Sequence, residues 1–380
     1  MTGTLSGPAG TPASPGSPPL RPPAVQPGQL VAGARRPRLV NARTADDWLA
    51  LTGSLAGALG LDWIIYDRLL PFSGAVGFCV CWYVLFLAAY GTVSAMAHPR
   101  PIVMDRLVAA MVHGAAGIVL LAVAWTVIYT FYRGFSALVH LNFYTQAMNS
   151  TTPTAPLSQG GILHAIVGSL IEIGIAVVVS LPLGVGTAVF MTEVGGWFAR
   201  GVRTVVEAMT ALPDILAGLF ILTTLIVGLG VQKTGFAAAM ALSVMMLPII
   251  ARSSEVVLRT VPGGLREASL ALGASRWQTV WRVVLPTARS GLATALILGI
   301  ARGIGETAPV LLTSGAAAFL NFNPFSEPMN SLPLFIYVGF LSGEKAFADR
   351  IWGAAAVLLA LVLILFVILR VLARSRPGRS

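Results

Sequence analysis

The sequence predicts an all-α integral membrane protein, and three observations carry that prediction. Hydrophobic residues fill 56% of the 380 positions and charged residues only 11%, against about 25% charged residues in ordinary soluble domains. Several stretches reach the roughly 20 apolar residues that cross a bilayer core. Basic residues, whose excess gives a formal net charge of +10, gather between alternate stretches. This pattern excludes a soluble globular enzyme and a disordered acidic protein, and it argues against nucleic-acid binding.

Residues 1–46 differ from the rest of the chain because they are rich in Pro, Gly, Ser and Ala. Such a segment buries too little apolar surface to offset the entropy of ordering. It also has no continuous apolar core like that of a signal peptide. We therefore expect a disordered Pro/Gly-rich tail that ends in a basic stretch.

Eight membrane spans are predicted from the apolar stretches that follow this tail. Their approximate bounds are 48–66, 69–99, 107–132, 173–192, 215–232, 234–251, 290–312 and 351–369. The first span is the weakest, because Asp62 interrupts it. With eight spans and both termini in the cytoplasm, most Lys and Arg residues fall on the inner side, as the positive-inside rule requires.

The loop between the sixth and seventh spans, residues 262–286, is too polar to span and too regularly patterned to be a passive linker. Apolar and small residues recur at helical spacing from Leu265 to Leu272 and predict a short amphipathic helix. Gly273 suits the turn that ends it. Ser275 and Gln278 form a capping-box pattern for a second short helix, and Pro286 marks entry to the next span. On pattern alone, an interfacial amphipathic hairpin is the simplest interpretation.

The full spacing of this loop resembles the EAA loop of bacterial ABC importer permeases. Glu267-Ala268-Ser269 is followed after three residues by Gly273 and, nine residues later, by Val283-Val284-Leu285-Pro286. Ser269 replaces the second Ala of the pattern and Val283 replaces Ile. The resemblance implies that the loop is a coupling helix that docks on an ATPase subunit. The implied coupling residues are Glu267, Ala268, Ser269, Gly273, Leu285 and Pro286.

A second run narrows the resemblance to PstA-type phosphate permeases. Residues 301–312, Ala-Arg-Gly-Ile-Gly-Glu-Thr-Ala-Pro-Val-Leu-Leu, are similar to the A-R-x-x-G-E-T-A-P-h-L-L run of that family. The resemblance implies a six-span type I ABC importer permease core over residues 102–376. The hairpin of residues 47–101 would then be two extra N-terminal transmembrane helices.

Charged residues inside the predicted spans are candidates for the substrate pathway. Arg302 and Glu306 are four positions apart, a spacing that places two residues on one helix face, and an intramembrane charge is costly unless it is paired or functional. A purely structural ion pair is the alternative. The resemblance places Arg302, Glu306 and the adjoining Thr307 near the translocation path, where Arg302 would face an oxyanion. Asp214 is a further candidate, although relatives commonly carry a small hydroxyl residue there.

The sequence has no Walker A motif, no plausible nucleophile–base pair and no metal-ligand spacing. We therefore expect a transport subunit that is not itself an enzyme and that needs no cofactor or metal. The resemblance implies a multi-pass protein of the bacterial cytoplasmic membrane that works with a PstC-like permease, two PstB-like ATPases and a PstS-like binding protein facing the outer loop near 314–350. Alternatives are a permease for sulfate or molybdate and, less favoured, a self-contained secondary transporter.

Overall fold

A computed structural model of the protein describes residues 45–69, 74–149, 151–344 and 347–373. The predicted tail of residues 1–46 lies almost wholly outside these ranges. The described residues are largely helical, and their one extended pairing is an isolated bridge between Gly315 and Met329. They form two compact units, one up to Gly117 and the other from Ile118 onward. The fold therefore agrees with the predicted all-α class.

The first unit is a helical hairpin followed by the start of a long helix. Helix α1 spans Ala45–Trp63, α2 spans Ala75–Ala97, and α3 begins at Arg100 and runs to Leu138. Ala58 is buried in a cluster with Phe86 and Tyr90, whose rings stack with centroids 5.8 Å apart. Asp62 is fully buried in this unit, and α1 with the π-helical turn after it is still long and apolar enough to span. The predicted first span is therefore helical despite its carboxylate.

The second unit contains the remaining helices. They are α4 (Asn142–Thr145), α5 (Leu163–Val189), α6 (Gly196–Thr210), α7 (Asp214–Ile221), α8 (Gly235–Arg259), α9 (Gly263–Ala271), α10 (Arg276–Thr279), α11 (Leu285–Gly303), α12 (Ala308–Thr313), α13 (Leu332–Leu341) and α14 (Ala348–Ala373). Helix α8 is central, because it packs against α5 and α11. Ile250 of α8 lies against Gly184 of α5 and Gly299 of α11, where a Cβ would meet Ile250 atoms at 2.9 and 2.7 Å. Small residues thus let the helices approach closely, as in many membrane bundles.

By length and composition, seven helices of the described ranges can cross a membrane, or eight if a bent pair forms one span. The bent pair is α6 with α7, which meet at an angle of 101°. The predicted span over 215–232 corresponds to α7 and the π-helical turn that continues it over Leu222–Gly228, and the bend lies just before it. Pro213 explains the bend, since a proline disfavours helical backbone in the residue before it and lacks a backbone donor.

The predicted span over 290–312 is also interrupted. Helix α11 ends at Gly303, and α12 begins at Ala308 with Pro309 in its first turn. Glycines have low helix propensity, and proline is favoured only at a helix start. Arg302 and Glu306 therefore do not share one helix face, which corrects the expectation from their spacing. Arg302 lies in the last turn of α11, and Glu306 lies in the break.

The loop over 262–286 contains the two predicted helices, α9 and α10. Gly273 between them has φ +84°. The predicted capping box is confirmed, because Gln278 N donates to Ser275 Oγ at 3.2 Å and Ser275 N donates to Gln278 Oε1 at 2.9 Å. The second helix is not separated from the next span. Helix α10 continues through a π-helical turn (Val280–Val284) directly into α11.

Candidate functional site

Three charged side chains meet where α7 begins and α11 ends. Arg302 forms an ion pair with Asp214, and its Nη2 lies 3.5 Å from Glu306 Oε1. The Arg302 side chain is 51% exposed, whereas both carboxylates are partly buried. We call Asp214, Arg302 and Glu306 the charged triad.

Close packing of α7 on α12 sets the position of this triad. A Cβ on Gly218 of α7 would meet the backbone of Pro309 at 2.6 Å, so only glycine permits the observed approach. This contact fixes the start of α7 beside the break that follows α11. As a result, Asp214 reaches a guanidinium that lies 88 positions away in the sequence.

The charge balance of the triad explains what it can do. One guanidinium faces two carboxylates, so the acids outnumber the base. A guanidinium presents a planar fork of donors that matches a tetrahedral oxyanion, and it stays charged at all physiological pH values. Because Arg302 is half exposed, it can receive an anion while the carboxylates limit how tightly that anion is held.

The sequence predicted all members of the triad as pathway candidates, and the structure brings them together. Thr307 lies at the start of α12, where its side chain makes no capping hydrogen bond. Gly303 is tightly packed, because a Cβ there would meet Met246 Sδ at 2.7 Å. Gly305 has open space around its Cα, so close packing at the break depends on Gly303.

The residues predicted to couple the chain to an ATPase fall into two groups. Glu267 and Ala268 of α9 are exposed, as are Gly273 and Pro286. Ser269 is instead buried and bonds to Thr279 Oγ1 at 2.9 Å, tying α9 to α10. Leu285 is partly buried at the start of α11. The first group can therefore meet a partner, and the second holds the loop in shape.

Large apolar side chains are exposed on the same loop. Leu272 is 89% exposed. Others that are at least two-fifths exposed are Leu265, Leu270, Trp277 and Trp281. The apolar side chains of the second helix and its continuation are divided, because Val280 and Val284 are buried while the two tryptophans are exposed. An exposed apolar patch of this kind is typical of an interaction surface.

Arg266 anchors the loop to the helices around it, a role that no sequence motif signals. Its guanidinium donates to Val261 O at 2.7 Å and to Leu258 O at 2.9 Å. It also pairs with Glu193, with Nη2 3.0 Å from Oε1. Glu193 lies in the π-helical turn that extends α5. Arg266 therefore joins α9 to the ends of both α8 and α5.

Two further polar groups stabilise the framework of the second unit. Glu172 of α5 is buried, and Ser314 Oγ lies 2.7 Å from its Oε1. Arg350 of α14 is also buried and donates to three carbonyls, those of Ala155, Pro156 and Gln159, at 2.6–2.9 Å. Arg350 thus anchors the loop before α5.

Comparison with known proteins identifies the family. Residues 180–378 match the binding-protein-dependent transport system inner membrane component. The phosphate transport system permease protein PstA of Mycobacterium leprae (strain TN) is 41% identical over 246 residues, which are 64% of this chain and 80% of that protein. The PstA protein of Haemophilus influenzae is 34% identical over 248 residues, covering 65% of this chain and 85% of that protein.

A solved structure supports the fold independently. The crystal structure of a bacterial alginate ABC transporter, in complex with alginate pentasaccharide-bound periplasmic protein, aligns with a TM-score of 0.52 at 15% identity. The alignment covers 72% of this chain and 96% of that chain. At this identity the likeness concerns the fold, which is that of an ABC importer permease. With its family match and its similarity to the PstA proteins, the chain belongs to the binding-protein-dependent transport system inner membrane components, as a PstA-type permease.

Proposed function

We propose that this chain is a transmembrane permease subunit of an ATP-driven importer that moves inorganic phosphate across the cytoplasmic membrane by alternating access. The observation that carries the proposal is the charged triad: an exposed arginine between two carboxylates at a break in a membrane helix. The PstA names of its relatives supply the substrate.

In this mechanism Arg302 compensates the charge of phosphate during passage. Asp214 and Glu306 hold the guanidinium when no anion is present and compete with the anion once it has bound. This competition keeps binding reversible, which a transport site requires. Thr307 lies one residue beyond Glu306, near enough in sequence to contribute a hydroxyl to the same path.

Coupling to ATP hydrolysis is assigned to the loop over 262–286. Glu267, Ala268 and Gly273 would meet the ATPase subunit, whereas Ser269 keeps α9 and α10 together. Leu285 and Pro286 mark the junction through which the loop moves α11. Because Arg266 bonds to the ends of α8 and α5, a push on α9 would reach two core helices directly.

We further propose the assembly around this chain. A PstC-like permease would complete the pore, two PstB-like subunits would hydrolyse ATP, and a PstS-like protein would deliver phosphate from outside. Both termini would lie in the cytoplasm, and residues 47–101 would be an addition to a core over 102–376. These assignments rest on the resemblance and on the distribution of basic residues.

Uptake of radiolabelled phosphate tests this function. Cells that lack this chain are supplied with the wild-type gene, and excess unlabelled sulfate or molybdate is added as competitor. We expect restored uptake that neither competitor reduces. Uptake that sulfate or molybdate abolishes would reassign the substrate to another oxyanion, and uptake without a partner ATPase would favour a secondary transporter.

A further inference from the structure

A second cluster of charged residues lies between α6 and the end of α8. Its members are Arg203, Glu207, Arg252, Glu255 and Arg259, which we call the inner arginine cluster. Glu255 is only 1% exposed. Its Oε1 lies 2.7 Å from Arg203 Nη2 and 2.7 Å from Arg259 Nη2, and its Oε2 lies 2.7 Å from Arg252 Nη1. One buried carboxylate therefore orients three guanidinium groups.

The cluster has more positive than negative charge. Three arginines face two carboxylates, since Glu207 also lies 3.6 Å from Arg252 Nη1. The charged triad has the opposite balance, with one arginine between two carboxylates. The inner arginine cluster therefore carries a net positive formal charge, whereas the triad carries a net negative one.

Two of the three arginines remain open to a ligand. The side chains of Arg252 and Arg259 are 47% and 57% exposed. Each guanidinium has five N–H donors, and the bonds to Glu255 leave most of them free to bind another group. Because the two side chains are held by the two oxygens of one carboxylate, they are close enough to contact the same small anion.

The position of the cluster fits the inner end of the pathway. Arg259 ends α8 three residues before Pro262, where the coupling loop begins. An anion that has left Arg302 toward the ATPase side of the membrane would meet this cluster next. This step rests on the proposed function and on the orientation proposed with it.

We propose that Arg252 and Arg259 form a second, inner station for a phosphate-type oxyanion, with Glu255 as the residue that positions them. Binding there is weak, because exposed charges are screened by water and salt. The station receives phosphate as the anion leaves the transport pathway toward the cytoplasm. When the cytoplasmic concentration of phosphate is high, the station also rebinds phosphate from that side. Rebinding at this point slows further import.

Product inhibition in reconstituted vesicles tests the proposal. The assembled importer is placed in vesicles of phosphatidylcholine with ATP and increasing inorganic phosphate on the ATPase side, and import of labelled phosphate is measured. We expect internal phosphate to inhibit the wild type. Arg252→Gln should raise the inhibition constant by about fivefold, the effect of one exposed charge interaction, and Arg252→Gln with Arg259→Gln by about tenfold or more.

Matched variants test whether a change in the inhibition constant is specific to the charges of Arg252 and Arg259. Arg289→Gln removes an exposed charge from α11 and should leave the inhibition constant unchanged, whereas Arg252→Lys, which keeps the charge, should restore inhibition. An inhibition constant that all variants share with the wild type would overturn the proposal even while import continues. Absence of import by the wild type would instead contradict the proposed function.

A lipid headgroup also carries a phosphate group that these arginines could bind. A change in the lipid composition of the vesicles distinguishes a lipid headgroup from free inorganic phosphate as the ligand. The assay is repeated with phosphatidylglycerol added to the vesicles. Inhibition by free phosphate in phosphatidylcholine alone, lost in the double variant, supports the station for the transported anion. A difference between variants that appears only with phosphatidylglycerol, without inhibition by free phosphate, would overturn that assignment in favour of a lipid site.

Discussion

In the proposed mechanism the transport chemistry depends on Arg302, and a substitution of its ion-pair partner Asp214 tests that role. Asp214→Asn removes one carboxylate that competes with the anion for the guanidinium. We expect the KM for phosphate to fall by about fivefold, because the anion then displaces one charged competitor instead of two. Initial rates of uptake over a range of phosphate concentrations measure this change.

The control for this variant is Asp105→Asn, which neutralises an exposed carboxylate on α3. It should leave KM unchanged. A KM for Asp214→Asn that equals or exceeds the wild-type value would contradict competition between Asp214 and the substrate.

Glu255 is the residue whose loss should most affect stability. Glu255→Gln leaves three arginines around a neutral group. Removing one partner of a buried ion pair costs about 3–5 kcal/mol, and we expect the low end because the arginines are partly exposed. Thermal unfolding of the purified complex measures the loss of stability.

The control is Glu207→Gln, at an exposed carboxylate 3.6 Å from Arg252. It should lower the free energy of unfolding by less than about 1 kcal/mol. Equal losses of stability in the two variants would contradict the central place of Glu255.

The sequence was informative at this scale where a charge interrupts an apolar span. Arg302 and Glu306 were identified in this way, and Asp214 was identified at the start of the span predicted over 215–232. Their contact was not predictable, because it depends on the packing of α7 against α12 rather than on local spacing. Glu255 was missed because it lies among arginines in a segment that is typical of a membrane boundary.

At the scale of elements, the close contact of α7 with α12 determines the geometry of the triad. Gly218→Ala would place a Cβ 2.6 Å from the Pro309 backbone. We expect α7 to shift, at a cost of about 1–3 kcal/mol for overpacking, and uptake to fall severalfold because Asp214 moves away from Arg302. Uptake per molecule of assembled complex measures the effect. Gly186→Ala, at a helical glycine of α5 with open space around it, is the control and should transport normally.

The turn between α9 and α10 is a second element with a specific requirement. Gly273 has φ +84°, and a Cβ added there would meet no other atom within 4 Å, so Gly273→Ala affects backbone conformation alone. An L-residue in left-handed backbone costs about 1–2 kcal/mol, and we expect roughly tenfold weaker retention of the ATPase subunit. Co-purification of the ATPase measures it. Gly264→Ala, in α9 and equally unobstructed, should retain the ATPase; equal retention by both variants would contradict the role of the turn.

Helices and caps were largely predictable from the sequence, and breaks were not. The capping box at Ser275 and Gln278 follows from local hydrogen-bond chemistry and is confirmed. The break after Gly303 falls inside the span predicted over 290–312, and the 101° bend lies just before the span predicted over 215–232. Hydropathy averages over about 20 residues and does not detect a helix that stops and restarts within the apolar layer.

For the whole molecule, composition predicted a membrane protein, because a soluble fold could not keep so many apolar residues from water. The stretches of about 20 apolar residues predicted that its spans are helical. Eight spans were predicted, and within the described ranges seven or eight helices are long and apolar enough to cross a membrane. The PstA-type resemblance is confirmed by relatives that are 34–41% identical. The boundary between the two compact units, at Gly117 inside α3, was not predictable because no break in composition marks it.

In the proposed mechanism Arg302 carries the transported anion, while partner subunits hydrolyse ATP. The most direct test is to measure ATP hydrolysis and labelled-phosphate import together in the reconstituted complex, with wild type and Arg302→Gln. We expect the variant to assemble and hydrolyse ATP while import falls at least about a hundredfold, since a transport site without its cation leaves the anion uncompensated in the apolar layer. Import at the wild-type rate with Arg302→Gln would contradict this role of Arg302.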